Sequence, residues 1–428
     1  MRIEFPYYQS IPGVEVPDEN LIGVLGPSLR VDERSEQGIL DEAFARPIGG
    51  PPLRDLAQAG QRVVLITDDN TRPTPAARIL PRVLAELDAA GVREQDLTVL
   101  VALGSHRPMT QAELADKLGA GPARRLRIVQ PDSRDATTLR FWGNTSLDVP
   151  IWADRTVEGA DLVIGIGAIM PLMAAGFTGG GKIVVPGICG EQTNDAMHWA
   201  GIEIPERNLF GQRENPVRAM IDEVSQSIGL HAIVNVVVGE AGRIVGAVTG
   251  HPVAAHRRGC ELARQAFGVH APEAADVVLA DSYPFDIEFW QANKALDGAG
   301  LVVKPGGTIV LIAPCPEGVS ATHPEIVQYG YRPVEEIRRL VHEGRLSRTV
   351  GVHMIQVARV AVERATCVLV SDGISAQAKD ELGFVHVPTP AEGLAWAFAR
   401  HGAQARALVL RRAAQLLPLD EDPGGAPA

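Results

Sequence analysis

Hydrophobic and polar positions along the chain fall into two patterns that take turns. Short runs of Val, Ile and Leu ending in Gly, Asp or Ser, such as residues 62–67 (RVVLIT), have the length and β-branched content of buried strands. Between them lie stretches rich in Ala, Leu, Glu and Arg with apolar residues at helical spacing. In this way 62–67 predicts a strand, 79–90 a helix and 96–103 the next strand. Residues 110–118 predict a helix opened by a Thr110 N-cap, with Glu113 three positions on to complete a capping box. Further strands are expected at 125–129 and 162–166.

A second alternating series starts near Asp276 (DVVLADSYP) and continues through 307–313 and 367–370. Strand and helix in turn predict parallel βαβ units, so the fold class is α/β: two domains with largely parallel, Rossmann-like sheets and an active site in the cleft between them. A long helix at 251–267 links the two series, which places an N-terminal domain at 1–268 and a C-terminal domain at 274–418. The tail from Leu419 to Ala428 is acidic and rich in Pro and Gly, the composition of a disordered segment.

Charge narrows the choice of partner. A formal net charge of -12 argues against nucleic acid, because phosphate contacts need Lys and Arg gathered on one face. The N-terminus lacks a secretory pattern, and no run approaches the roughly 20 apolar residues of a membrane span, so a cytoplasmic protein is expected. The four cysteines, Cys189, Cys260, Cys315 and Cys367, are scattered without a C-x-x-C pair and read as buried thiols.

Candidate chemistry gathers at strand ends. Asp68 to Arg72, Gly104 to Arg107 and Gly167 to Pro171 each follow directly on an expected strand. In an open parallel sheet all such positions share the carboxyl edge, where ligands bind, so the three clusters point to one site. The segment Gly176-Phe177-Thr178-Gly179-Gly180-Gly181-Lys182 is the most specific of all: its glycines suit a backbone that approaches an anion, and a phosphate cradle is the natural reading. It matches the start of a P-loop but carries Ile183 where Ser or Thr is needed for magnesium, which weighs against a phosphotransferase. His198 follows sixteen residues after Lys182, beside Met197 and Trp199. In the second series, Gln291 and Lys294 would share one face of a helix.

Taken together, these residues resemble the lactate racemase family. The resemblance rests on Asp69-x-x-Arg72-Pro73, Gly104-Ser105-His106-Arg107-Pro108, the Ala175 to Lys182 loop, Gly250 to His256, His198, and Gln291-x-x-Lys294. It implies a nickel-pincer nucleotide, a pyridinium mononucleotide with two sulfur-bearing arms, attached as a thioamide to Lys182, with His198 as the imidazole ligand to nickel. Asp69, Thr71, Gly176, Thr178, Gly179, Gly180 and Gly181 would surround that cofactor, and maturation would need the proteins that build it. His106 would be the base for the hydroxyl proton of a 2-hydroxy acid as hydride leaves C2. Arg72 and Lys294 would take the carboxylate, and Gln291 the hydroxyl or keto oxygen.

One position departs from the family pattern. Where relatives place a second catalytic histidine after the proline, this chain has Leu172 after Pro171. Leucine moves no proton, so a substrate other than lactate is expected, with Lys294, His353 or a substrate carboxylate as the candidates for the second face. A P-loop phosphotransferase and a non-catalytic ligand-binding homologue are the alternatives.

Overall fold

The computed structural model describes residues 1–27 and 34–419. The described residues divide into two compact units, one within 34–266 and the other from 1–27 together with 267–419.

The first unit is built on strands β1 (Val63–Asp68), β2 (Leu97–Ala102), β3 (Arg127–Val129), β4 (Leu162–Ala168), β5 (Ala232–Val238) and β6 (Ile244–Gly250). They form one six-stranded sheet in the order β6-β5-β4-β1-β2-β3. All neighbours are parallel except β5 and β6, which pair antiparallel as a hairpin. β1, β4 and β5 are buried along their whole length, which explains why they read as unbroken apolar runs rather than as alternations. Helix α1 (Ala76–Ala89) covers one face and buries Ile79, Leu80, Val83 and Leu87 against Leu65, Val99 and Ile164. Helix α2 (Gln111–Leu118) opens with the expected capping box: the Thr110 hydroxyl accepts from the Glu113 N–H and the Glu113 carboxylate accepts from the Thr110 N–H. Helices α3 (Glu191–Ala200), α4 (Pro216–Ile228) and α5 (Pro252–Phe267) follow.

The second unit carries another six-stranded sheet, made of β7 (Ala275–Asp281), β8 (Val303–Ile312), β9 (Thr366–Val370), β10 (Val385–His386), β11 (Ala407–Leu410) and an N-terminal strand, Leu21–Leu25. The order is β10-β9-β8-β7-β11 and then Leu21–Leu25, all parallel. This corrects the domain assignment of residues 1–27. They were expected with the N-terminal domain, but Leu21–Leu25 pairs with β11, and Ile3, Phe5 and Val14 are buried among Val277, Val310 and Val368. The chain opens in one unit, builds the other, and returns. Leu419 ends a short strand, Leu417–Leu419, paired with Gly268–His270. The rest of the expected disordered tail, 420–428, lies outside the described residues.

All four cysteines are free and buried. Among the described residues no helix is long and apolar enough to cross a membrane.

Candidate active site

Because β1, β2 and β4 are mutually parallel, the loops after them share the carboxyl edge of one sheet. The loop after β1 is an Asx-turn: Asp69 Oδ1 accepts from the Thr71 N–H at 3.1 Å and the Thr71 hydroxyl at 2.6 Å. Its other oxygen, Oδ2, lies 2.6 Å from Nδ1 of His106 in the loop after β2. Asp69 is buried, and burial alone opposes its charge; the His106 ring, Arg72 and the Thr71 hydroxyl more than offset this and hold the carboxyl well below the usual range. An ionised Asp69 fixes the His106 proton on Nδ1 and presents Nε2 as the basic nitrogen. Arg72 donates to the Thr71 hydroxyl at 2.7 Å.

After β4 the chain makes a small antiparallel hairpin, Pro171–Leu172 against Gly176–Phe177, and only then enters the glycine loop. Leu172 is buried there. The loop ends in a single 3-10 turn, Gly180–Ile183, that carries Lys182. A P-loop runs from a strand directly through its glycines into an α-helix, so this context overturns the phosphotransferase alternative.

The glycines answer first to protein neighbours. Gly180 has φ +58° and a Cβ there would lie 2.8 Å from the His256 ring; at Gly176, φ +78°, a Cβ would strike the Gln212 carbonyl. Three of the loop's N–H groups are already used: Thr178 donates to the Met170 carbonyl at 2.8 Å, Gly180 to Asn235 Oδ1 at 2.8 Å and Lys182 to the Gly179 carbonyl at 3.2 Å. These N–H groups do not stand open for a phosphate, which departs from the cradle reading. The loop's carbonyls are held as well. Arg218, fully buried on α4, donates to the carbonyls of Phe177 and Gly179, and His256 on α5 bonds the Thr178 carbonyl at 2.9 Å. Arg218 and Asn235 are not among the expected site residues, and His256 enters the sequence analysis only as the end of the Gly250 to His256 segment. The one signal for Arg218 is an arginine on the apolar face of an amphipathic helix, beside Val217 and Ile221.

This packing sets the chemistry of Lys182. Burial, followed by the charges of Arg218 and Arg72, lowers its amine to about 7. His198, near the end of α3, is lowered to about 3 by burial and by the Lys182 charge, so its imidazole is neutral at physiological pH with a lone pair to offer. Asp69, Thr71, Arg72, His106, Lys182 and His198 therefore fall in one unit, linked pair by pair through hydrogen bonds and electrostatic contact. The His106 and Lys182 segments are also joined by the Gly104 N–H to the Gly187 carbonyl at 2.9 Å.

Gln291 and Lys294 belong to the other unit. Asn293, with helical φ -57° and ψ -20°, joins the helix Phe289–Ala292 to Lys294–Val302, and the Lys294 ammonium donates to the Gln291 amide oxygen and lies 4.9 Å from the Phe285 ring centre. Trp290 sits between His323 and His353, with ring centres 4.3 and 4.1 Å away, and the Tyr331 hydroxyl is 2.8 Å from His353 Nε2.

A parallel-sheet unit with a His–Asp pair on its carboxyl edge, and a buried lysine of lowered basicity in electrostatic contact with a neutral imidazole, describes an enzyme. The chain matches the family model for the lactate racemase N-terminal domain over residues 7–209 and that for the C-terminal domain over 270–416. It is 32% identical over 323 residues to a lactate racemase of Thermoanaerobacterium thermosaccharolyticum, covering 74% of this chain and 75% of that one. It is 30% identical to a lactate racemase of Lactiplantibacillus plantarum, covering 74% and 76%. The fold superposes on the lactate racemase apoprotein of T. thermosaccharolyticum with a TM-score of 0.86 at 27% identity, over 98% of this chain and all of the other. A Thermotoga maritima protein, 20% identical, shares the fold with a TM-score of 0.73 over 90% of this chain and 98% of that one. The chain belongs to the lactate racemase family and is an isomerase.

Proposed function

We propose that this enzyme inverts the hydroxyl-bearing carbon of a 2-hydroxy acid other than lactate, working with a nickel-pincer nucleotide held at Lys182 and His198. The observation that carries the reading is geometric: the Asp69–His106 pair, 2.6 Å apart, lies in the same unit as a glycine loop that Asn235, Arg218 and His256 hold in place, and this packing buries and makes less basic both the Lys182 amine and the His198 imidazole. The amine is unprotonated often enough to be acylated, and the imidazole is a ready metal ligand. Among the described residues no group of three or more His, Cys, Asp or Glu side chains could hold a metal ion, which fits a metal brought by non-protein ligands with a single imidazole added. When bound, the cofactor would supply an acceptor for hydride from C2.

The chain's own residues do the rest. His106 takes the hydroxyl proton at Nε2, and Asp69 stabilises the imidazolium that forms. Arg72 pairs with the carboxylate, and Thr71 and Asp69 hold it in place. Thr178, Gly176, Gly179, Gly180 and Gly181 shape the loop that seats Lys182. A buried Leu172 in place of a second base favours a substrate with an apolar portion or one reacting at a single centre of a larger acid.

The test uses protein made together with the cofactor-building enzymes. Peptide mass analysis should find a nucleotide adduct on Lys182, and a C2-deuterated substrate should keep its deuterium in the inverted product. An unmodified Lys182, or deuterium lost to solvent, would overturn the reading.

A further inference from the structure

One helix ties both polar loops of the site to the sheet. On α2, Glu113 and Lys117 stand one turn apart on the same face. Glu113 accepts from Asn70 Nδ2 at 2.8 Å and pairs with Arg107 through both oxygens, at 3.0 and 2.8 Å. Asn70 lies in the loop of Asp69, Thr71 and Arg72; Arg107 is the residue after His106. Lys117 is buried, with Nζ 2.7 Å from Asp68 Oδ1, and it donates to the Arg72 carbonyl at 3.0 Å. The Thr74 hydroxyl donates to the second oxygen of Asp68.

These contacts have a common geometry. Each site loop lacks helix or strand structure of its own, and each is gripped through a neighbouring side chain or a backbone carbonyl rather than through the side chain that meets the substrate. The Asp69 turn is held at Asn70 and at the carbonyl of Arg72, and the His106 loop is held at Arg107. Both grips end on adjacent turns of a helix whose N-terminus is itself fixed by the capping box. The charges match in pairs, Lys117 with Asp68 and Arg107 with Glu113, so the grip adds no net charge to the site. Arg107, ahead of burial, holds Glu113 down to about 2, so this carboxylate stays ionised through the working pH range.

We propose that Glu113 and Lys117 are positioning residues, which keep His106 in register with Asp69 and Arg72 at the height where it meets the substrate carboxylate. The proposal rests on the roles given above to His106 and Arg72. It differs from a purely structural role in what its loss should change: substrate affinity and the imidazole–carboxylate bond, beyond stability.

Three variants separate the two: Lys117→Met, the double variant Asp68→Asn/Lys117→Met, and Arg107→Met, which leaves the capping box intact. Lys117→Met strands a buried carboxylate and should lower the melting temperature, and the neutral double variant should restore it. In both, KM for the hydroxy acid should rise about tenfold while kcat stays within about threefold, the pattern of lost substrate binding. A double variant that regains wild-type KM along with stability would reduce Lys117 to a structural role and overturn its assignment. The His106 Nδ1–H resonance, recorded in histidine-labelled apoprotein, should broaden or vanish in all three variants. An unchanged resonance in all of them overturns the proposal whatever the activity. If the wild-type holoprotein turns over no hydroxy acid, the functional reading fails, and the resonance still decides the positioning role.

Discussion

Nδ1 of His106 lies 2.6 Å from Oδ2 of Asp69, and the same carboxylate holds the turn of Thr71 through its other oxygen. One buried side chain thus sets both the tautomer of the base and the loop that presents Arg72. Asp69→Asn keeps the size of the side chain but offers an amide where the ring needs an anion. With the Lys182 adduct verified by mass, kcat should fall by about 10²–10⁴-fold, as when an orienting carboxylate is removed from a catalytic histidine. Activity within twofold of wild type would show that Asp69 does not orient the base.

The amine of Lys182 should titrate far below an ordinary lysine. Its folded value of about 7 means that half of it is unprotonated near neutral pH, against an unperturbed value of about 10.4. Labelling of the apoprotein with a small amine reagent, followed peptide by peptide, should give a midpoint near 7 for the Lys182 peptide. Arg218 lowers this value through its charge, so Arg218→Met should move the midpoint upward. A midpoint near that of exposed lysines in the wild type would remove the basis for reading Lys182 as a primed nucleophile.

Arg218 is itself costly to bury, since desolvation lowers it to about 10, and it is retained at the centre of the glycine loop's contacts. Truncation to Met leaves the buried carbonyl of Phe177 and the half-buried carbonyl of Gly179 without this donor, which should cost about 2–4 kcal/mol in chemical denaturation. Gly180→Ala adds a Cβ 2.8 Å from the His256 ring at φ +58°, and should cost about 1–3 kcal/mol by strain and overpacking. Wild-type stability in both variants would mean that the loop is not held as described.

How much of this was legible in the sequence depends on the range of the interaction. Local signals read well. The capping box of α2 needs only Thr110 and Glu113, three residues apart, and the buried strands β1 and β4 announce themselves as apolar runs because both of their faces are covered. Parallel order then places Asp69 and His106 on one edge without knowledge of their separation. The placement of Leu21–Leu25 against Ala407–Leu410 was not legible, because a pairing between strands nearly the whole chain apart leaves no mark in either segment. The glycine loop shows a subtler limit. Glycine reveals that something comes close, but not whether the neighbour is a phosphate or, as at Gly180, the ring of His256. Lys117 and Glu113 read as ordinary helix charges, since nothing in α2 itself tells which loops its face will meet.

The second unit carries a pH-dependent element of its own. Asp281, the last residue of β7, is fully buried and accepts from the Tyr283 N–H at 3.2 Å, the Tyr7 hydroxyl at 3.1 Å and the Arg412 N–H at 3.0 Å. Those donors favour the charged form, but burial outweighs them and raises the carboxyl to about 7. An unfolded aspartate titrates near 3.9, so between about pH 4 and 7 the native state binds a proton that the unfolded chain has released. Stability from this residue is therefore fully present below about pH 4, declines as pH rises towards 7, and levels off above it. Asp281→Asn removes the titration and presents an NH₂ group to one of its donors, so a constant loss of stability is expected and the slope is the quantity to read. Urea midpoints at pH 5 and pH 8 should drop more steeply for the wild type than for the variant. Equal slopes would mean that Asp281 is already ionised at pH 5, and that its three hydrogen bonds outweigh its burial.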